Sequence, residues 1–150
     1  MRSTSFVRTL AVGAVLALGV STLAIAVAGP VEDRQSDMKA IGQAMKDGAG
    51  LTAPTTFDAA KAKVAMVGVA DAAKKASALF PAGSGADPKT AADPKIWENN
   101  ADFLKRLTEL QTLATAAGNA PDAAAFKPAF GAVGATCKSC HDVYRKKKPG

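Results

Sequence analysis

Six residues near the carboxyl end of the chain recur at intervals of three and four, and this spacing constrains the fold most strongly. They are aromatic, aliphatic or sulfur-bearing: Phe126, Phe130, Val133, Cys137, Cys140 and Tyr144. Residues spaced in this way share one face of an α-helix. The pattern therefore predicts a long amphipathic helix whose two cysteines lie with the core aromatics rather than on the solvent-facing side.

The chain between residue 29 and this segment also has helical patterns. Strand-like alternation of β-branched residues is nowhere sustained, while helix-favouring residues are abundant. Four amphipathic segments joined by loops predict an all-α fold, an antiparallel four-helix bundle. The predicted helices are Val31–Lys46, Thr56–Leu79 with Thr56 as the N-cap, a third ending near Gly118, and Pro121–Lys147.

Each of the first three helices has a predicted apolar stripe, and a long loop with several prolines and glycines, Pro81–Pro94, joins the second helix to the third. The stripes are Met38, Ile41 and Met45 in the first helix, Phe57, Ala60, Val64 and Val67 in the second, and Phe103, Leu107, Leu110 and Ala114 in the third.

Residues 1–28 predict a cleaved secretory signal. They contain two arginines and no acidic residue, and include the apolar run Leu10–Val20. Small residues at alternate positions predict cleavage after Ala26 or Ala28. The alternative is a retained membrane anchor, because the uncharged stretch Leu10–Ala28 spans 19 residues. The cleavage patterns favour a signal, a periplasmic location and a mature domain of residues 29–150 with no stable membrane association.

The charge of the chain does not predict binding to nucleic acid. Its net charge of +6 falls to +4 without residues 1–28, because that segment carries two arginines and no acid. A surplus this small, with no aromatic residues interleaved among the basic ones, is not a nucleic-acid pattern. The basic run Arg145–Lys148 is either an ordinary solvated end or a patch that steers an acidic redox partner.

Residues 137–141 read Cys-Lys-Ser-Cys-His, and this motif predicts covalently bound haem. Cys-x-x-Cys-His is the attachment signature of c-type haem. The two thiols form thioethers with the haem vinyl groups, and the adjacent imidazole binds the iron as an axial ligand. The predicted export agrees with this interpretation, because c-type haem is attached outside the cytoplasm.

Three other roles for the cysteines are open. A disulfide between helical residues three apart would close a very short loop and stabilise little. A redox-active dithiol of the thioredoxin type lies at a helix start after a strand, whereas this motif lies late in a helix. A zinc site needs about four ligands, and the motif supplies three. Haem is the favoured interpretation.

Haem also accounts for the shortage of large core residues. The chain is 48% hydrophobic but only 5% aromatic. A bundle lined by small residues such as Ala60, Ala114 and Val133 has room near its axis for a flat apolar macrocycle. The haem-free chain is therefore predicted to be loosely folded.

Several segments carry a family resemblance. Around the motif, residues 129–136 read Ala-Phe-Gly-Ala-Val-Gly-Ala-Thr and residues 141–148 read His-Asp-Val-Tyr-Arg-Lys-Lys-Lys. Ala78–Pro81 and Pro94–Trp97 lie at the two ends of the long loop, and Arg34-Gln35 precede Met38, Lys39 and Gly42 in the first helix. With these segments the chain resembles the class II c-type cytochromes, the cytochrome c′ family, which are four-helix bundles with haem bound near the carboxyl end.

The resemblance implies roles for the motif and for residues around it. Cys137 and Cys140 would hold one haem c, with His141 as the proximal ligand of its iron. Arg34 and Gln35 match positions that contact haem propionates, and Arg145 would reach a propionate or the proximal side. The alternatives are a solvated first turn for Arg34 and Gln35, and a charge complementing the helix dipole for Arg145. Phe80 and Trp97 are expected to be loop anchors or core residues.

Met38 matches the distal position, where the family divides. A methionine there either ligates the iron, which gives a six-coordinate electron carrier, or shields a five-coordinate iron that binds nitric oxide or carbon monoxide. Met45 and Met66 are weaker ligand candidates. The resemblance thus implies an electron carrier rather than an enzyme, with periplasmic redox partners, and the alternative is binding of NO or CO. Pairing into a homodimer is common in the family.

Overall fold

The computed structural model describes residues 29–147 and contains four long helices and one short one. The predicted signal segment, residues 1–28, and Lys148 lie outside the described residues. No described helix is both long and apolar enough to cross a membrane. The helices are α1 (Pro30–Ala49), α2 (Ala59–Ala76), α3 (Lys95–Glu98), α4 (Asn100–Gly118) and α5 (Ala123–Tyr144).

The four long helices form the predicted bundle. Helix α2 packs between α1 and α4, and α4 packs against α5, whereas α1 and α5 contact each other at few points. Each long helix runs antiparallel to the one before it, as shown by Asp102 at the start of α4, which lies against Tyr144 at the end of α5. The bundle is therefore closed on three sides and more open between α1 and α5.

The predicted end of the first helix is wrong by three residues, because α1 continues to Ala49. Gly48 looks like a helix terminator in the sequence, but it lies inside the helix and is buried. A Cβ at this position would come within 2.6 Å of Phe130 Cε2 and 3.2 Å of Met66 Cε. The glycine therefore allows α1 to approach α5 closely at this end of the bundle.

The predicted start of the second helix is also wrong. Asp58, not Thr56, is the N-cap, and its carboxylate accepts a hydrogen bond from the amide of Lys61 at 3.0 Å. Thr56 lies in a turn, and the amide of Thr56 donates to the carbonyl of Ala53. The helix ends at Ala76 rather than Leu79.

Three of the four residues in the apolar stripe predicted for α2 face outward, whereas Phe57, just before the N-cap, packs against the buried core. Ala60 is exposed, and the exposed fractions of Val64 and Val67 are 74% and 43%. Helix α2 lies between two neighbours and buries its alanines, because small side chains let the helix axes approach. The residues that it buries are Ala62, Ala65, Met66, Val69, Ala70, Ala72, Ala73 and Ala76.

The apolar faces predicted for the last two long helices agree with the structure more closely than that of α2. The apolar stripe of α4 is confirmed, since Phe103, Leu107, Leu110 and Ala114 are all buried and the helix ends at Gly118. Helix α5 is shorter than predicted at both ends. Its N-cap, Asp122, follows Pro121 and accepts from the amide of Ala125 at 2.8 Å.

Two groups of buried residues fill the bundle. We call the group of α2 alanines with Met66, Val69, Phe126 and Val133 the alanine cluster. We call the group of Ala76, Ile96, Phe103, Leu107 and Tyr144, with Phe80 and Trp97 packed against it, the aromatic cluster. The two clusters follow one another along α5, with the alanine cluster at Phe126 and Val133 and the aromatic cluster at Tyr144.

Candidate functional site

The two cysteines lie in the last two turns of α5 and are half-buried. Cys137 packs against the alanine cluster, and Cys140 packs against the aromatic cluster. The two cysteines form no disulfide with each other in this structure. No three His, Cys, Asp or Glu side chains in residues 29–147 group together as a metal site, so the zinc alternative has no support there.

Burial raises the pKa of both thiols. For Cys140, the nearby Arg106 guanidinium acts in the opposite direction, toward a lower pKa. Two half-buried sulfurs on the apolar face of one helix suit attachment to an apolar macrocycle better than they suit a reactive thiolate, which burial disfavours.

His141 directly follows Cys140 and is exposed at the surface. Desolvation lowers the pKa of His141, and the charge of Arg145 lowers it further. The neutral imidazole that results is the form that binds a metal. Arg145 lies just beyond the end of α5, and its amide donates to the carbonyl of His141 at 3.3 Å.

Met38 lies across from the motif on α1, partly buried against the alanine cluster to which Cys137 also packs. The two antiparallel helices approach each other closely at the end of α1 that carries Gly48. Gly48 lies opposite Phe130, and a Cβ at Gly134 would lie 3.9 Å from Met45 Cε. Two turns from Met45 toward the start of α1, Met38 reaches the level of the motif. The residues therefore fit a haem between α1 and α5, with sulfur attachments on one helix and a methionine on the other.

The other methionines have different surroundings. Met66 is fully buried, with its Cε under Gly48 and its Cβ under Gly118, and is a core residue. Met45 packs against the alanine cluster beside Gly134, one turn before Cys137.

Arg34 and Gln35 hold the long loop between α2 and α3. Arg34 is 5% exposed and donates to Ser84 O at 3.0 Å and to Ser84 Oγ at 3.2 Å. It also lies over the Phe80 ring, 4.7 Å from the centroid, and its burial lowers its pKa. Gln35 donates to Lys89 O at 3.2 Å.

Trp97 anchors the same loop. Its Nε1 donates to the carbonyls of Phe80 at 3.2 Å and Pro81 at 3.1 Å. Gly85 lies against its ring, where a Cβ would come within 2.6 Å of Cζ3. The loop is therefore packed onto the bundle rather than held only by its ends.

A polar network between α4 and α5 escapes the sequence analysis. Asp102 Oδ2 accepts from Arg106 Nε and from Tyr144 Oη, both at 2.7 Å. Arg106 Nη1 also reaches the carbonyl of Ser139, within the motif, at 3.5 Å. These hydrogen bonds lower the pKa of Asp102. The spacing of Asp102 and Arg106 by four residues predicts their pairing on a helix, but only the fold brings Tyr144 to them.

A sequence profile of the Cytochrome C′ family matches residues 29–145. The chain belongs to the cytochrome c′ family. It is 41% identical over 130 residues to cytochrome c′ of Rhodopseudomonas palustris, covering 85% of this chain and 89% of that one. It is 40% identical over 128 residues to cytochrome c-556 of Agrobacterium fabrum, covering 83% and 86% of the two chains.

Solved structures agree. The fold matches cytochrome c′ from Rhodopseudomonas palustris with a TM-score of 0.75 at 38% identity, over 82% of this chain and 100% of that chain. Another cytochrome c′, matched with a TM-score of 0.69 at 33% identity over 81% of this chain and 100% of that one, shows ligand-controlled dimer dissociation. The predicted family and fold class are thus confirmed. The protein is a monohaem class II cytochrome that carries covalently bound haem c.

Proposed function

We propose that this cytochrome carries electrons in the periplasm, with its haem attached to Cys137 and Cys140 and its iron bound by His141 on the proximal side. The placement of two half-buried thiols on the apolar face of α5, one residue before an imidazole, carries this proposal. When bound, the haem supplies a one-electron change between ferric and ferrous iron. Cys137 and Cys140 would hold the macrocycle, and desolvation and the charge of Arg145 lower the pKa of His141, which favours the neutral imidazole.

Met38 is the proposed residue on the distal side. Its partly buried side chain packs against the same apolar cluster that Cys137 contacts. As a ligand it would favour electron transfer, because a thioether stabilises ferrous iron and keeps the coordination unchanged between the two oxidation states. The same apolar packing favours a second candidate function, in which Met38 only covers an open site for NO or CO.

Optical spectra distinguish these two functions. For the electron carrier we expect a low-spin ferric spectrum with the red band of thioether ligation, and a reduced spectrum that carbon monoxide leaves unchanged. Met38→Ala should then convert the iron to high spin, whereas Met45→Ala, in the same helix, should not. A high-spin wild-type spectrum that shifts with carbon monoxide would instead establish the open site and exclude Met38 ligation.

The haem contacts assigned to Arg34, Gln35 and Arg145 stay predictions. Arg145 lies one helical turn after His141, and its amide donates to the carbonyl of His141 at 3.3 Å, which supports a place on the proximal side of the haem. Arg34 and Gln35 already donate to the long loop, so a propionate contact would be made in addition to those bonds. A change in the pH dependence of the reduction potential in Arg34→Gln is expected if its charge acts on a propionate.

We also propose a homodimer, formed through the outward face of α1 and α2. An apolar groove there is lined by Ala40, Ala44, Ala60 and Val64, and Val64 is among the most exposed large apolar residues. The dimer of a related cytochrome c′ supports the pairing. Val64→Glu should shift the sedimentation coefficient to that of a monomer, whereas Thr112→Glu on α4 should not. An unchanged coefficient in Val64→Glu would contradict this interface.

The periplasmic location rests on residues 1–28. Expression with the full chain should yield a periplasmic protein whose amino terminus is residue 27 or 29. An intact amino terminus in the membrane fraction would instead support the anchor.

A further inference from the structure

The connection between α2 and α3, residues 77–94, is long and has no regular secondary structure except an isolated bridge at Ala92. We call residues 77–94 the strap. Irregular connections longer than about 12–15 residues are uncommon in compact domains and usually have a function. Hydrogen bonds connect the strap to the bundle at several points along its length, and these bonds offset the loss of conformational entropy of a long connection.

One side of the strap is bonded to the first turns of α1. The buried Arg34 donates to Ser84 and, through Nη2, to Thr90 Oγ1 at 3.5 Å. Gln35 donates to Lys89 O. Met38 lies one helical turn after Arg34 on the same helix, so these bonds hold the end of α1 that carries Met38.

The other side of the strap is bonded to the segment just after His141. Ala92 pairs with Arg145, the amide of Asp93 donates to Tyr144 O at 2.9 Å, and the amide of Lys146 donates to Ala91 O at 2.9 Å. Lys146 Nζ also donates to Thr90 O at 3.3 Å. The end of α5 is therefore bonded to strap residues 90–93, next to the residues of the strap that α1 contacts.

Thr90 is the residue where the two sides meet. It is buried, its hydroxyl oxygen accepts from Arg34 and from the amide of Ala92 at 3.1 Å, and its carbonyl accepts from Lys146. Direct contacts between α1 and α5 are few, so the connection through the strap is a principal link between them at the motif end.

We propose that the strap sets the spacing between α1 and the end of α5, and that Thr90 is the positioning residue that holds Met38 over its side of the haem. This inference rests on the proposed haem attachment, but not on whether Met38 ligates the iron. Whether Met38 is a ligand or a cover, a loosened α1 lets a small ligand reach the iron faster.

The test is the rate of nitric oxide association with the reduced holoprotein, measured by stopped flow, because nitric oxide binds ferrous haem strongly enough to displace a thioether and can therefore be followed whether Met38 is a ligand or a cover. Thr90→Val keeps the shape of the side chain but removes the hydroxyl, and we expect association to be about three- to tenfold faster, the factor that a lost hydrogen bond corresponds to. Thr90→Ser keeps the hydroxyl and should stay close to the wild-type rate. Thr112→Val, a matched change on α4 whose hydroxyl bonds only within its own helix, should also leave the rate unchanged.

An unchanged rate in folded Thr90→Val, or an equal acceleration in Thr90→Ser and Thr90→Val, would overturn the proposal. If Thr90→Val does not fold, Arg34→Lys decides the same question, because lysine keeps the charge but lacks the fork that reaches both Ser84 and Thr90. We expect it to accelerate association, and an unchanged rate would count against the strap. A preparation without covalent haem would contradict the proposed function instead, so the two failures are distinguishable.

Discussion

The two sides of α5 are built differently. Toward α4 the helix is closed by packing and by the network of Asp102, Arg106 and Tyr144, which reaches the motif at Ser139. Toward α1 it makes few contacts, close at Gly48 and Phe130 and sparse near the motif. The difference indicates a division of labour, in which the α4 side fixes the position of the motif and the α1 side leaves room for the haem.

The largest effect on folding is expected from removing the haem that lies on the α1 side of α5. Cys137→Ala/Cys140→Ala removes both attachment points, and without haem the alanine-lined side of the bundle lacks the core that a macrocycle provides. We expect a chain that retains helix but loses cooperative thermal unfolding, measured by circular dichroism. Ser139→Ala, between the two cysteines and exposed, should keep haem and a sharp transition. Native-like cooperative melting of the double variant would refute the idea that haem completes the core.

A smaller effect is expected where α1 and α5 touch. In Gly48→Ala the new methyl group would lie 2.6 Å from the Phe130 ring, which must move. We expect a loss of about 1–3 kcal/mol in the free energy of unfolding, measured with urea. Gly42→Ala, in the same helix with open space around it, should instead be stabilising by about 0.5–1 kcal/mol. Equal effects of the two substitutions would show that the close approach does not matter.

The contribution of the Asp102, Arg106 and Tyr144 network to the free energy of unfolding should depend on pH. Hydrogen bonds from Tyr144 and Arg106 lower the pKa of Asp102 below its usual 3.8. The ionised carboxylate therefore stabilises the fold above that pH, and the contribution is lost as the pH falls through the lowered pKa. Asp102→Asn should destabilise the protein at pH 7 more than at pH 3, by urea unfolding at each pH. A destabilisation that does not depend on pH would argue against the ionic role.

The smallest effect is expected from one hydroxyl of that network. Tyr144→Phe keeps the ring in the aromatic cluster and removes the bonds that the hydroxyl donates to Asp102 at 2.7 Å and to the carbonyl of Asn99 at 3.5 Å. We expect a loss of about 1 kcal/mol, seen as a lower midpoint of urea unfolding, with the haem spectrum unchanged. A changed spin state would mean that the α4 side also controls the iron.

The parts of the fold that large residues specify could be predicted from the sequence. In α4 and α5 the apolar stripes contain Phe103, Leu107, Phe126 and Val133, and all four are buried as predicted. For α2 the predicted stripe is wrong at Ala60, Val64 and Val67, because the spacing of these residues does not reveal that the helix packs through its other alanines. In a helix packed between two others, alanine is the residue that fits, and Val64 is left outside.

The site was only partly accessible to sequence reasoning. The motif at residues 137–141 is local, so its spacing carries the prediction by itself. The bonds of Arg34 join residues about 50 apart in the chain, and Thr90 has no signal in the sequence that marks it as their meeting point. Gly48 looks like a helix terminator in the sequence, because a glycine that ends a helix and one that admits a neighbouring ring cannot be told apart in a single sequence.

Covalent haem between α1 and α5 is the central claim, and the mass of the purified, denatured protein tests it most directly. We predict that the mature chain has the mass of its polypeptide plus one haem, and that a proteolytic peptide containing both Cys137 and Cys140 carries the whole addition. A polypeptide of unmodified mass, with its haem extracted into acidified organic solvent, would contradict the account.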